Sequence, residues 1–303
     1  MPPDIDVGGQ AVIEGVMIRS PKRVVTAIRL KNGEIVVKND PYTSLTKRYR
    51  LLQLPVLRGV ISFFEMLVIG LKTLNYSAEV AMTDLEEEQK GEKSHSRNEG
   101  YLVVSLVLGL GLGLAIFFFT PLLLASLLQI QKSALGFNLV AGGIRILLFL
   151  GYVWVISLFR ELRRLFEYHG AEHKTIFAYE GGQDLTVEKV RSFSTRHPRC
   201  GTSYLLIVAL FAILIFALAD TIYALRMGQL PGLAQRLLIH FMLLPLVAGA
   251  SYELLKLSGR ARKYRLARVL MAPGLWIQRI TTREPDDNQL AVALVALKEA
   301  VAP

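Results

Sequence analysis

The sequence predicts a mainly α-helical membrane protein with about four transmembrane helices, an N-terminal interfacial helix and a small N-terminal cytoplasmic β module. Three observations lead there. Four segments are apolar over a length that can cross a bilayer, which takes roughly 20 residues of helix. The mean hydropathy of the 303 residues is +0.39, with 52% hydrophobic residues, more apolar surface than a soluble globule of this size conceals. The first fifty residues, by contrast, carry β-rich runs on either side of Asn32-Gly33. The same composition excludes intrinsic disorder and fibrous repeats, and a single cysteine, Cys200, excludes an internal disulfide.

Residues 1–50 form the β module. Val24–Leu30 and Glu34–Val37 flank the Asn-Gly dipeptide and predict a hairpin, because Asn and Gly tolerate the positive φ that a tight two-strand connection needs. Upstream, Gly8-Gly9 and Gly15 bracket Gln10–Glu14, which supplies a further strand. Residues 51–82 are apolar but carry Arg58, Glu65, Lys72 and Glu79 at intervals of seven. That interval keeps the charges on nearly one face, drifting about 20° per step. One polar stripe in an apolar surround suits a helix at the membrane interface better than one crossing it. Residues 83–100, with Asp84, Glu86, Glu87, Glu88 and His95, are too polar to bury and read as a solvated linker.

Residues 101–159 hold two spans, Tyr101–Leu128 and Phe137–Phe159, and residues 204–257 hold two more, Tyr204–Ala219 and Leu237–Leu257. Gly109 and Gly113 in the first read as a small-residue helix-packing face. Residues 160–203 form the loop between the pairs, and no obvious breaker comes after the second span, so its helix is expected to run on into that loop. Residues 258–303 form a basic segment and an amphipathic C-terminal helix capped by Asp286 or Asp287, docking on the β module.

The net charge of +10 alone would admit nucleic acid as a partner. Its distribution points elsewhere. Of the 35 Lys and Arg residues, 31 fall on one side of a four-span topology, leaving Lys132, Arg145, Arg226 and Arg236 for the rest. By the positive-inside rule both termini and the central loop are cytoplasmic. Lys256, Arg260, Arg262, Lys263, Arg265 and Arg268 then lie just past the last span, where anionic lipid headgroups attract them. No nucleic acid is expected. The N-terminal Met-Pro-Pro-Asp lacks the basic-then-apolar order of a cleaved secretory signal.

The stretch Glu167-Tyr168-His169-Gly170-Ala171-Glu172-His173-Lys174 carries the chemistry. On a helix, His169 and His173 share one face and can grip one metal ion with Glu172 beside them. His-x-x-Glu-His is the inverted zinc-protease spacing, whose glutamate serves as general base toward water. His197 and Cys200 stand just before the third span and offer an imidazole and a thiolate, both good zinc ligands. Glu253, near the cytoplasmic end of the fourth span, is costly to bury without a partner, which makes it a further ligand candidate or half of an ion pair with Lys256 or a loop arginine. Four spans emerging together bring these segments to one membrane surface. His240 lies roughly 20 Å along the helix from Glu253 and belongs to the opposite side.

These runs, with Gly8–Met17, Ser251-Tyr252-Glu253, Leu275-Trp276 and Thr282-Arg283-Glu284-Pro285, resemble in order the YqhQ-like family of bacterial membrane proteins, a domain of unknown function labelled "predicted metal-dependent enzyme". The resemblance implies a metal site on His169, Glu172 and His173, with His197 and Cys200 as further candidates. It places the protein in the bacterial inner membrane.

The leading expectation is therefore a multi-pass membrane protein with a divalent metal, zinc before others, at the cytoplasmic mouth of its bundle. His169, His173, Cys200, His197 and Glu253 are the ligand candidates and Glu172 the general base in hydrolysis of a peptide or lipid-linked substrate. The competing expectation is a non-enzymatic scaffold that binds a protein partner through its cytoplasmic module, with the His/Cys cluster structural. A transporter is a third, resting only on Arg145, His240 and Glu253 as polar groups within the spans.

Overall fold

The computed structural model describes residues 7–89, 99–129, 133–260 and 265–302. The N-terminal Met-Pro-Pro-Asp, residues 90–98 of the polar linker with His95, Lys132, Arg262 and Lys263 lie outside the described residues.

The chain begins with a four-stranded antiparallel meander in the order β1-β2-β3-β4: Gly8–Val12, Gly15–Arg19, Arg23–Arg29 and Ile35–Pro41. The Asn-Gly turn joins β3 to β4, with Gly33 at φ +92° and the Leu30 N–H donating to the Glu34 carbonyl at 2.8 Å. Upstream there are two strands in place of the single one expected. Gly15 is not a bracket but the first residue of β2, reached through a two-residue turn in which Glu14 takes φ 54°. The cause is burial on both faces. Val12, Met17, Val24 and Ile28 pack on Met66, Ile69, Tyr76 and Val80 of a long helix, while Val16, Ile18, Val25 and Ala27 pack on the opposite side. A strand covered twice loses the alternation that marks a half-buried one.

A short turn of helix, α1 (Leu45–Arg48), leads to that long helix, α2 (Leu57–Gln89). Two charges of the seven-residue stripe bind it to its surroundings. Arg58 makes a bidentate ion pair with Glu253, and Glu65 accepts from the Ser44 hydroxyl at 2.7 Å, the Leu45 N–H at 2.6 Å and the Tyr42 hydroxyl at 3.2 Å. On another face Phe64, Leu67, Val68 and Leu71 are exposed. The helix thus packs on the sheet with one side and presents an apolar side outward.

Among the described residues four helical segments are long and apolar enough to cross a bilayer: Val107–Leu127, Ala134–Ile156, Gly201–Met227 and Leu233–Leu257. The first is composite, α3 (Glu99–Leu114) running through a π turn (Ala115–Phe119) into α4 (Thr120–Leu127). Pro121 has no N–H to donate to the Phe117 carbonyl one turn back. Arg145 of α5 (Ala134–Ile156) supplies the missing donor, its Nε 2.8 Å from that oxygen, which gives this arginine a structural task inside an apolar bundle. Gly109 and Gly113 face open space rather than another helix of the chain, against the packing role expected for them.

The helix of the second span does not run on. It stops at Ile156, where the Ser157 hydroxyl bonds back to the Trp154 carbonyl, and α6 (Arg160–Glu180) starts afresh after Phe159. The break frees α6 to lie against the sheet. After α7 (Val187–Arg191), the bundle is completed by α8 (Gly201–Met227) and α9 (Leu233–Arg260). Residues read as a basic segment form a further helix, α10 (Arg265–Thr281), and α11 (Asp287–Val301) begins behind a capping box on Asp286 and Gln289. Leu290, Ala293, Leu294 and Leu297 of α11 share a buried core with Tyr168 and Ala171 of α6 and with the second face of the sheet. The sheet is therefore the middle layer of three, α2 on one side and α6 with α11 on the other.

Helices α2 and α9 meet backbone to backbone. A Cβ on Gly249 would fall on the Val56 carbonyl oxygen, and one on Gly59 would fall on the Gly249 carbonyl. Substituting Gly249→Leu is expected to separate the helices and cost about 1–3 kcal/mol, read as a lowered midpoint of thermal unfolding in detergent. An unchanged midpoint would refute the close contact.

At the end of the bundle away from the sheet, Asp220 is fully buried. It accepts from Arg236 Nε at 2.9 Å and Asn138 Nδ2 at 2.8 Å, and its other oxygen lies 3.0 Å from His240 Nε2. This cluster ties α5, α8 and α9 together. A third span ended at Ala219 stops one residue short of Asp220, which is why the sequence alone does not single it out. His240 and Arg145, two of the three polar groups on which a transporter would rest, are held by Asp220 and by the Phe117 carbonyl. The third, Glu253, is held by Arg58.

Candidate metal centre

Helix α6 is amphipathic, and its buried side carries Phe166, Tyr168, Ala171, Glu172, His173 and Ile176. Packing that side on the sheet and α11 fixes the rotation of the helix and turns both histidines toward the start of α8. Each imidazole is then oriented by a backbone carbonyl. His169 Nδ1 lies 2.8 Å from the Thr281 oxygen at the end of α10, and His173 Nδ1 lies 2.6 Å from the Thr195 oxygen. A carbonyl can only accept, so both Nδ1 atoms carry a proton, and each Nε2 presents a lone pair when its ring is neutral.

Those lone pairs converge on Cys200. His169 Nε2 is 3.2 Å from Sγ, and one ligand atom from each of His169, His173 and Cys200 lies within 4.8 Å of the others. Cys200 is the N-cap of α8, its sulfur accepting from the Thr202 N–H at 3.4 Å. Burial opposes a thiolate there, but the His169 and His173 imidazoles draw the Cys200 thiol well below its usual range. The positive end of α8 acts in the same direction. Burial likewise opposes a charged His169, yet Cys200, Glu172 and the Thr281 carbonyl hold it up at about 9. Two imidazole nitrogens and a sulfur at this spacing can share a proton or hold a metal ion. Tetrahedral zinc would set a nitrogen and a sulfur ligand about 3.5 Å apart, close to the spacing observed.

Glu172 is buried beside this group, and burial raises its carboxyl above the ordinary carboxylate range against the pull of His173 and His169. Its side chain reaches past Gly9, where an added Cβ would stand 2.8 Å from Oε1, so a larger residue there would push the Glu172 side chain aside. Among the described residues no hydrogen bond is made by its carboxylate.

The other two ligand candidates are engaged elsewhere. His197 is buried against Phe177 and His173, with ring centroids 4.4 and 5.7 Å away. Its Nδ1 accepts from the Arg199 N–H at 3.2 Å, and its Nε2 lies 3.3 Å from a Glu180 oxygen without hydrogen-bond geometry. Burial pushes this imidazole below its usual pKa. Glu253 is taken up by Arg58 of α2 and stands outside the three-residue group. Sequence reasoning misses the supports: the Thr281 and Thr195 carbonyls, and Gln278, which is buried and clamps the His197 backbone by accepting from its N–H at 2.7 Å and donating to its carbonyl at 2.9 Å. Carbonyls carry no residue-type signal, so no pattern could have found them.

A cavity of about 500 Å³ opens beside the cluster. His169, Glu172, His173 and Cys200 lie on its wall with Gly8–Ala11 of β1, Phe63 and Met66 of α2, and Leu205 of α8. The lining is mostly apolar with a few convergent polar groups, as in small-molecule and substrate sites generally.

Fold and site together define a class: a helical protein with four bilayer-length apolar helices and a buried His/Cys cluster where they meet a small sheet. Residues 54–303 match the family described as "Protein of unknown function (DUF1385)", and the chain belongs to that family. It is 34% identical over 298 residues to "Uncharacterized protein YqhQ" of Bacillus subtilis (strain 168), an alignment covering 96% of this chain and 91% of the relative. No solved structure matches it.

Proposed function

We propose that this chain is a multi-pass protein of the bacterial inner membrane, both termini cytoplasmic, that binds a divalent cation, zinc first, through His169, His173 and Cys200 and hydrolyses an acyl bond of a peptide or lipid-linked substrate. Orientation rests on the asymmetry of Lys and Arg. The basic stretch after α9 meets anionic headgroups, and the sheet with its covering helices is the surface on which a protein partner would act.

One observation carries the reading: two imidazoles, each with Nδ1 on a carbonyl, gather with a thiol beside a cavity and a buried carboxylate that makes no hydrogen bond among the described residues. Orienting a ligand histidine through its other nitrogen is the ordinary support of a metal site. Two nitrogens and one sulfur favour zinc over magnesium or calcium. Three protein ligands leave a fourth position, which distinguishes catalytic from closed structural sites. A closed site, as the scaffold reading requires, would need a fourth ligand, and Glu253 is paired with Arg58 while His197 stands outside the three-residue group.

A cation bound here would supply Lewis acidity toward water and the substrate carbonyl. The chain supplies the rest. Glu172, kept from its neighbours, takes a proton from the attacking water and returns it to the leaving group, so that water adds across the acyl bond as that bond breaks. The apolar cavity excludes bulk water and holds the substrate beside it. Elemental analysis of protein purified without chelators is expected to give one zinc per chain, and less than one tenth of that in His169→Ala. Equal metal in both would remove this assignment.

A further inference from the structure

The cavity beside the cluster has one wall of unusual chemistry. β1 is an edge strand, since the sheet order runs β1-β2-β3-β4. The Glu14 carbonyl accepts from the Arg29 N–H at 2.8 Å, toward β3. Backbone groups alternate in direction along a strand, so Gly15 turns its N–H and C=O toward β1. The register pairs Gly15 with Val12, Met17 with Gln10 and Arg19 with Gly8, and these pairs carry the ladder bonds. Gly9 and Ala11 therefore turn their N–H and C=O groups to the open edge. Among the described residues neither makes a backbone hydrogen bond outside its strand pairing. Both residues are half-buried and line the cavity.

We infer that this edge is a recognition element, and that the substrate is an extended polypeptide segment which adds to β1 as a fifth strand. The inference rests on the metal-site reading above and names the substrate class for it. An added strand would lie about 4.8 Å from β1. Gly9 already touches Glu172, so a strand running past Gly9 and Ala11 brings its carbonyls to the acid and the His/Cys group in one motion. Main-chain bonds give such a site affinity for any sequence, and its pockets select alternate side chains. Phe63, Met66 and Leu205 make those pockets apolar. The exposed apolar face of α2 sets the edge at the bilayer surface, which favours apolar segments close to the membrane.

A lipid chain fits the edge less well. Its methylenes offer nothing to two N–H and two C=O groups, and covering a polar backbone group without a partner costs about 1–3 kcal/mol. An uncovered edge strand inside a protein is otherwise a liability that folds conceal with charge, proline or a covering helix. Neither Gly9 nor Ala11 supplies charge or proline.

The test uses the full chain in detergent, loaded with zinc, and titrates hydroxamates by calorimetry. Acetohydroxamate reports the metal alone, acetyl-Leu-Ala-Leu-hydroxamate adds a peptide, and octanoyl hydroxamate adds an acyl chain. The peptide is expected to bind at least tenfold more tightly than acetohydroxamate. N-methylation of the amides that donate to the edge should erase the gain, as should Ala11→Pro, which deletes an outward N–H at an edge position where proline is tolerated. The N-methylated ligands keep the test decisive should that variant fail to fold. Equal or greater gain for octanoyl hydroxamate, or a gain that survives N-methylation of every amide, overturns the inference. No binding of acetohydroxamate instead overturns the metal reading on which it stands.

Discussion

Glu172→Gln is expected to keep its full complement of metal and to lose hydrolytic turnover by about 10²–10⁴-fold, the usual contribution of a positioned general base. The substitution is close to isosteric, so the contact with Gly9 and the burial of the side chain persist. Only the capacity to take a proton goes. The contrast with His169→Ala is what makes the result informative: one variant loses the metal, the other loses chemistry and retains the metal. Elemental analysis and hydrolysis of a fluorogenic peptide mixture, run on both proteins, read the two quantities separately. Loss of metal in Glu172→Gln would make the carboxylate a ligand. Undiminished turnover would remove it from the reaction.

The second large effect is expected far from the site. Asp220→Ala leaves Arg236 buried with its carboxylate partner gone and takes the acceptor from Asn138 and His240 as well. Breaking one half of a buried ion pair costs about 3–5 kcal/mol. Thermal unfolding in detergent should show it as the largest loss among single substitutions in the bundle. The double substitution Asp220→Leu with Arg236→Met removes both charges and is expected to be less destabilised than Asp220→Ala, because no uncompensated ion remains. If the double variant is the worse of the two, the cluster does more than tie helices, and its charges would have a role in function. Metal content should be unchanged in either case, since the cluster sits at the opposite end of the bundle.

How far the sequence can be read depends on the kind of signal each element leaves. Long apolar runs are legible from composition and length alone, and the four bilayer-length helices among the described residues fall where hydropathy puts them. The β3–β4 hairpin is legible because Asn32-Gly33 is a local steric signal. β2 is not, since Val16-Met17-Ile18 is buried on both faces and shows no alternation. Neither is the end of α5 at Ile156. No proline or glycine stops the helix there, and the new direction of the chain is set by the packing of α6 on the sheet, a tertiary preference with no local mark.

At the cluster, His169 and His173 are legible from helical spacing, and Cys200 from its position before a span. Their convergence is a matter of topology. Glu253 shows the limit of topological inference: a buried carboxylate advertises that it needs a partner without saying which. Arg58, 195 residues away in sequence, meets that need. Asp220 is hidden when the span boundary is drawn one residue early. The carbonyls that orient the imidazoles belong to Thr281 and Thr195, and their contribution comes from the backbone and not from the threonine side chains.

The central claim is that His169, His173 and Cys200 gather around one divalent cation. The most direct measurement is the optical spectrum of cobalt-substituted full-length protein beside Cys200→Ser. The account predicts tetrahedral cobalt bands with a thiolate-to-cobalt charge-transfer absorption that disappears in the variant. A six-coordinate cobalt spectrum identical in the two proteins, with no thiolate band, would contradict it.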